Sequence, residues 1–345
     1  MGPFAFLAGL VFATSVCAEG VSVGGYIDSY YGFDFNEPTG DRAFTTQALR
    51  HHEFSINLAY VDLKIEKPRA HGRLALQAGT SVYSNYSGER TQNAALGGIL
   101  QHIQEAYGGY QLAEGVWLDA GIFFSHIGAE SFISKDNWNY SRSLGADFSP
   151  YYQTGVRLNY QADPKWFFSL HLLNGWQNII DNNSDKSIGM QIIYAPSDRI
   201  SFTYNNLIGR EQEFRFFNNF IAKAKISDRW SVAFSSDIGF QKQTSGGGVS
   251  VWFVETLLGQ YRLSETLALG GRLEYFNDGD QIVTSGTASG FQTAGASINL
   301  DWQPETYVLF RNEARALFSR DAVFPGRTGQ KPSNILLLTS LALSF

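Results

Sequence analysis

Short alternating segments recur along this chain, and the connections between them alternate in length, a rhythm that restricts the fold more than any single motif. Sixteen segments have strand character, at approximately 21–34, 53–66, 73–84, 99–112, 116–126, 150–161, 165–174, 187–195, 199–208, 214–226, 229–240, 250–263, 266–276, 290–302, 306–318 and 334–345. The connections after the even-numbered segments are tight (KPRAHG, AEG, ADP, APSD, SD, SE and QPE). Those after the odd-numbered ones are mostly longer and polar, the longest running from about 127 to 148. An even strand count with short turns at one end and long loops at the other is the mark of an all-β, transmembrane, up-and-down antiparallel β-barrel, its short turns in the periplasm and its long loops outside. The last segment carries the same message. Its residues Ile335, Leu337, Thr339, Leu341, Leu343 and Phe345 form one mainly apolar row. An apolar row on a free edge in water invites aggregation, whereas closure of a barrel in lipid satisfies both the edge and the face.

The amino-terminal end is consistent with export. Residues 1–18 read as a secretory signal, with an apolar run from Phe4 to about Val16 and small residues before Glu19, leaving 19–345 as the barrel. No Lys or Arg precedes that run, which implies an atypical signal or a translation start further upstream. Cys17 is the one cysteine. As a lipoprotein attachment site it lacks the usual preceding leucine, and its removal with the signal leaves no disulfide and no thiolate metal site. The 35 Gly, 17 Tyr, 27 Phe and 7 Trp favour strands and turns over helices. A mean hydropathy of -0.16 does not exclude a membrane, because transmembrane strands alternate instead of running apolar throughout. The net charge of -6 argues against nucleic acid as a partner.

Within strands, parity separates lipid from lumen. Trp166, Phe168, Leu170 and Leu172 share one face against Ser169 and His171, and Trp230, Val232, Phe234 and Ile238 oppose Ser231, Ser235 and Asp237. The first face is outward. The same parity places Asp28, Arg73, Glu105, Asp119, Arg157, His171, Lys223, Lys225, Asp237, Arg272, Glu274, Arg311, Glu313 and Arg315 inside as expected pore-lining residues. There water keeps a charge inexpensive, whereas Arg or Lys on the lipid face at mid-depth costs about 2–4 kcal/mol. Two strands resist the scheme. Phase is unclear around Val254 to Leu258, and Leu336 and Leu338 fall inward, as they would under a folded loop. Trp117, Trp166, Trp230 and Trp302 flank short turns, which fits the periplasmic one of two aromatic girdles.

A sixteen-stranded barrel leaves an aqueous bore unless something fills it. The loop after the fifth strand, GAESFISKDNWNYSRSLGADF, is the candidate filling. Glu130, Phe132, Lys135, Asp136 and Arg142 are its expected constriction residues, and its aromatic content argues against disorder. Arg272, Arg311 and Arg315 form a basic patch on the expected wall. If the loop folds inward, Glu130 and Asp136 face that patch and set up a transverse field. The alternative is that these arginines pair with Glu274 and Glu313 and only stiffen the wall.

At this loop the sequence resembles the outer-membrane β-barrel porins described as OmpL-like. The matching stretches are GIFFSHIGAE (121–130), DNWNYSRS (136–143), Pro150 and Gly155, NGWQNIIDNN (174–183), KSIGM before YAPSD, and GGRLEYFNDGD (270–280). The resemblance implies a porin in a bacterial outer membrane, with a central loop between strands 5 and 6 and passive diffusion of small hydrophilic solutes. It further implies outer-membrane lipid as surroundings, a homotrimer, and a carboxy-terminal strand ending in Phe345 that the barrel assembly machinery reads. It names no solute. A channel of the same fold selective for an anion or sugar, and a barrel-anchored adhesin or structural protein, remain alternatives.

Enzymatic and metal chemistry have little support in the sequence, which reads as a non-enzyme with no cofactor and no metal. His51, His52, His71, His102, His126 and His171 are scattered without metal-ligand spacing. Ser84 and His102 on neighbouring segments could meet as a lipase-like pair, with no orienting acid evident. DNNSD (181–185) and NDGD (277–280) read as turns rather than calcium loops.

Overall fold

The computed structural model describes residues 20–244 and 246–345, so the expected signal at 1–18 lies outside the described residues. The barrel strands are β1 (Val21–Asp34), β2 (Phe54–Lys67), β3 (Ala70–Ala78), β4 (Ile103–Ala113), β5 (Val116–Phe124), β6 (Tyr152–Gln161), β7 (Trp166–Leu173), β8 (Ser187–Ser197), β9 (Ile200–Arg210), β10 (Phe214–Lys225), β11 (Trp230–Lys242), β12 (Val249–Arg262), β13 (Leu267–Asp278), β14 (Phe291–Glu305), β15 (Val308–Ser319) and β18 (Ser333–Ser344). Between the last two, β16 (Phe324–Pro325) and β17 (Gln330–Lys331) form a small hairpin. Each barrel strand pairs antiparallel with its sequence neighbours, and β18 returns to β1 with Tyr26 opposite Ser344, closing the barrel. The sixteen expected strands are all present.

The seam is locked at the end of the chain. Gly25 and Phe345 exchange backbone hydrogen bonds of 2.9 and 3.0 Å. A Cβ on Gly25 would fall 2.1 Å from Phe345 Cζ, so the terminal ring lies directly over a residue that has no side chain. Ring over glycine covers an otherwise bare stretch of outer wall.

One connection departs from expectation. The third strand stops at Ala78 rather than 84, the fourth starts at Ile103 rather than 99, and three short helices lie between: α1 (Thr80–Asn85), α2 (Ser87–Gln92) and α3 (Ala94–Leu100). Gly79 adopts φ +140, and a Cβ there would meet the Asn57 carbonyl at 2.3 Å, so the chain leaves the sheet at that glycine. Asn93 caps α3 by accepting from Leu96 N–H at 2.9 Å. The buried Glu89 carboxylate accepts from Tyr152 O–H and from the Ile179 and Ile180 amides, tying α2 to the loop after β7.

Outward residues are apolar along the wall and aromatic near the turns. Trp166 stacks on Tyr194 at 4.4 Å, Trp230 packs on Tyr261 at 4.7 Å and Trp302 on Phe310 at 5.0 Å. Trp117 corrects the girdle reading: it points inward and stacks on His71 at 4.5 Å. The unclear phase of β12 is also resolved. Val254, Thr256 and Leu258 are buried inward, which turns Glu255 outward, where it accepts from Ser236 O–H at 2.8 Å.

The apolar core sits inside the barrel, toward its long-loop end. Phe123, Leu173, Leu207, Phe217, Trp252, Val254, Phe276 and Leu317 all reach inward there and form one buried cluster that includes Leu144 of the loop after β5. Leu336 and Leu338 are buried with Tyr140 of the same loop. The two strands that broke the alternation rule are thus footprints of a folded loop.

Candidate functional site

The loop 125–151 crosses the inside of the barrel and is pinned at both ends of its crossing. Its first limb lies on β8 to β11: His126 Nε2 meets the Asn206 carbonyl at 2.8 Å, Gln191 donates to the His126 carbonyl at 3.0 Å, Gly128 N–H donates to Asn219 Oδ1 at 3.2 Å, and Lys223 Nζ donates to the Ala129 carbonyl at 3.2 Å. The middle lies against β14, β15 and β1. Arg311 donates to the carbonyls of Ser134, Asn137 and Asn139 while paired with Asp301 at 2.7 Å, and Ser134 O–H donates to Asp28 at 2.9 Å. The second limb returns over β13 and β15. Ser141 gives both its N–H and its O–H to Glu313 at 2.6 Å, and Leu144 N–H, at the start of α4 (Leu144–Asp147), donates to Glu274 at 2.5 Å. Gly270 of β13 marks the closest approach, since a Cβ there would stand 1.9 Å from the Trp138 carbonyl.

This geometry decides between the two readings of the basic patch. Arg272, Arg311 and Arg315 are 1–2% exposed, with their charges spent on Glu130 (3.3 Å), Asp301 (2.7 Å) and Glu274 (2.8 Å) respectively. They do not face water. Inward parity was correct for them, but the loop covers them, so they clamp it. Arg142 belongs to the same buried layer: its guanidinium lies 3.7 Å over the Tyr151 ring, donates to Thr46 and stands 3.6 Å from Asp147. Burial holds the Asp147 carboxyl above its ordinary range in spite of that arginine. Burial likewise raises Asp136 and lowers Lys135 on the open side of the loop.

Below the loop, toward the short turns, lies a cavity of about 2090 Å³. Of the sequence-derived wall residues, Arg73, Asp119, Arg157, His171 and Lys223 line it, with Lys225 near its mouth and Glu130, Phe132, Lys135 and Asp136 in its roof. Asp28, Glu105, Asp237, Arg272, Glu274, Arg311, Glu313, Arg315 and Arg142 do not line it. The β2 to β6 side of the cavity is a ladder of paired charges. Arg73 bridges Asp62 at 3.1 Å and also pairs with Glu105, while Asp119 accepts from Arg157 at 2.8 Å and meets His71 at 2.7 Å. The opposite side presents Ile193, Thr203, Ile221, Ala233 and Leu258 around Lys223, with charges such as Arg199, Lys225, Asp228, Arg262 and Glu265 near the short turns. Sequence reading missed Asp62, His71 and Trp117 as lumen groups, although His71 and Asp62 share the parity of Arg73 on their hairpin.

The residues weighed for other chemistry are engaged locally. Ser84 lies in α1 and the His102 ring bonds the Gln77 carbonyl at 2.9 Å. Asp278 accepts the amides of Ile282, Val283 and Thr284, and Asp181 pairs with Lys186, as turn residues do.

A closed sixteen-stranded barrel with a loop folded into its lumen has counterparts. Residues 20–345 match the family described as "Putative beta-barrel porin-2, OmpL-like". The chain belongs to that family. Among solved structures, the outer-membrane channel DcaP of Acinetobacter baumannii superposes with TM-score 0.64 at 12% identity, over 96% of this chain and 100% of that one. OmpT of Vibrio cholerae gives 0.63 at 8% identity over 96% and 100%, and an anion-selective porin from Comamonas acidovorans gives 0.62 at 9% over 94% and 99%. A trimer form of the Vibrio cholerae protein is also similar, at TM-score 0.60 and 8% identity over 94% and 99%. No curated protein matches the sequence. The protein is an outer-membrane channel of the porin class, resident in a bacterial outer membrane.

Proposed function

We propose that the protein passes small hydrophilic solutes down their gradients without a reaction, as a homotrimer embedded in outer-membrane lipid. The observation that carries this is the division of the lumen: a wide, charged periplasmic cavity roofed by a loop held by hydrogen bonds and ion pairs, not by covalent links. The wall charges of the cavity are paired in both signs, which supports weak rather than strong charge selection. The strand ending in Phe345 serves the barrel assembly machinery as well as the seam. Recording purified protein in a planar bilayer tests the reading: stepwise currents with a near-zero reversal potential in a salt gradient agree with it, and a saturable current for one solute would replace it with a selective channel.

A second reading has one specific observation in its favour. Phe44, Phe148, Phe276, Phe291 and Phe324 pack ring to ring, 4.7–6.3 Å apart, over the long-loop end of the lumen. A barrel blocked there would work through its external loops, as an adhesin or structural anchor. Absence of current from correctly folded protein would favour it.

A further inference from the structure

A second, much smaller cavity of about 10 Å³ lies between the inner loop and the wall, lined by Gly128, Ala129, Glu130, Ser143, Gly145, Ala146, Ser235, Asp237 and Thr256. Asp237 is 5% exposed and projects from β11 into this space. One of its oxygens, Oδ1, accepts from Asn219, and the other, Oδ2, lies where a side chain on Gly145 would touch it at 3.2 Å. The charges that reach Asp237 are Glu130, and Glu255 on the outer face of the neighbouring strand. Both are negative. Glu130 is already committed to Arg272 at 3.3 Å and to the Ser143 amide at 2.9 Å. Among the described residues no lysine or arginine stands within ion-pair distance of Asp237, whereas Glu274 and Asp301 of the same interior are each paired with an arginine. A buried carboxylate without a counter-charge is costly.

The surroundings supply oxygens and little else. Ser235 receives one Asn219 N–H at 3.1 Å and keeps its own O–H and a lone pair, and the Thr256 hydroxyl lines the same space. An all-oxygen set suits a hard cation. The room is at the lower limit for one water, which is too small for a hydrated divalent ion and too poor in donors for the six to eight oxygens of calcium.

We propose that Asp237, Ser235, Thr256 and Glu130 bind a single monovalent cation of about sodium size, which ties the inner loop at Glu130 to the β11–β12 wall. The cation bridges loop and wall between the Lys223 hydrogen bond and the Arg272 clamp. Loop docking then depends on which cation the medium contains.

The test reads stability and not current, so its failure and the failure of the channel reading are distinguishable. Purified, folded protein in detergent is heated in sodium chloride or in N-methylglucamine chloride at equal concentration, and unfolding is followed by heat-modifiable mobility on SDS gels. Wild type should unfold at a higher temperature in sodium, the difference saturating as sodium is titrated. Asp237→Asn should remove the difference. Should that variant fail to fold, Thr256→Val decides: it should move half-saturation to higher sodium. Equal wild-type midpoints in the two salts would overturn the proposal in favour of a protonated Asp237, and so would a sodium dependence that Thr256→Val leaves unchanged.

Discussion

Gly270→Ala isolates the inner loop from the barrel that holds it. Gly270 sits inside β13, paired with Asn299 and Gln260, in ordinary extended backbone that alanine adopts without strain. The strand should therefore form as before. The added methyl, however, would stand 1.9 Å from the Trp138 carbonyl, and ordinary contact begins at 3.4 Å. The loop must retreat by about 1.5 Å at that point, further than the Arg311 and Ser141 hydrogen bonds on either side can stretch. Overpacking of this kind costs about 1–3 kcal/mol, which lowers the ratio of docked to undocked loop by a factor of about 5 to 150. Single-channel recording should show larger or noisier steps than wild type, while mobility on SDS gels without heating still reports a folded barrel. Wild-type steps from a folded Gly270→Ala protein would refute the reasoning, because the loop would then not lie against the wall at Trp138.

Three other changes test different links. Replacing Arg311 by Ala leaves Asp301 and three loop carbonyls without their buried partner, a loss of about 3–5 kcal/mol, and should lower the unfolding temperature rather than shift ion preference with stability unchanged. A tag near Ser184, in the loop after β7, should be reached from outside intact cells, and one at Ser264, between β12 and β13, should not. The reverse labelling would invert the barrel's direction. Deleting Phe345, or placing a side chain under its ring with Gly25→Val, should reduce the folded yield in cells, and an unchanged yield would remove the seam and the assembly signal from the account.

How far the sequence could be read follows from the range over which each signal acts. Strand parity is a local property, so Leu170, Leu172 and the last strand could be assigned to the outer wall from their neighbours alone. Tight turns are equally local. Parity also placed Arg272, Arg311 and Arg315 inside, yet it cannot say what lies over them, and a loop more than 120 positions away in the chain turned a presumed water-facing patch into a buried clamp. A signal for this was present. Phe217, Trp252, Phe276 and Leu336 are large apolar residues with inward parity, and in a water-filled lumen such residues need a cover. Read together, they outline the loop's footprint. The helices between β3 and β4 lacked any such signal, because six- or seven-residue helices have too few turns for periodicity and are held by Glu89 reaching a distant loop.

The central claim is that this barrel conducts and that its inner loop governs the current. Single-channel recording in a planar bilayer, comparing wild type with a variant in which residues 131–146 are replaced by a short Gly-Ser linker, tests it most directly. The account predicts discrete steps from wild type and markedly larger ones from the variant, both from protein that runs as a folded barrel on unheated gels. Folded protein that gives no steps in either form, or steps of equal size in both, would contradict it.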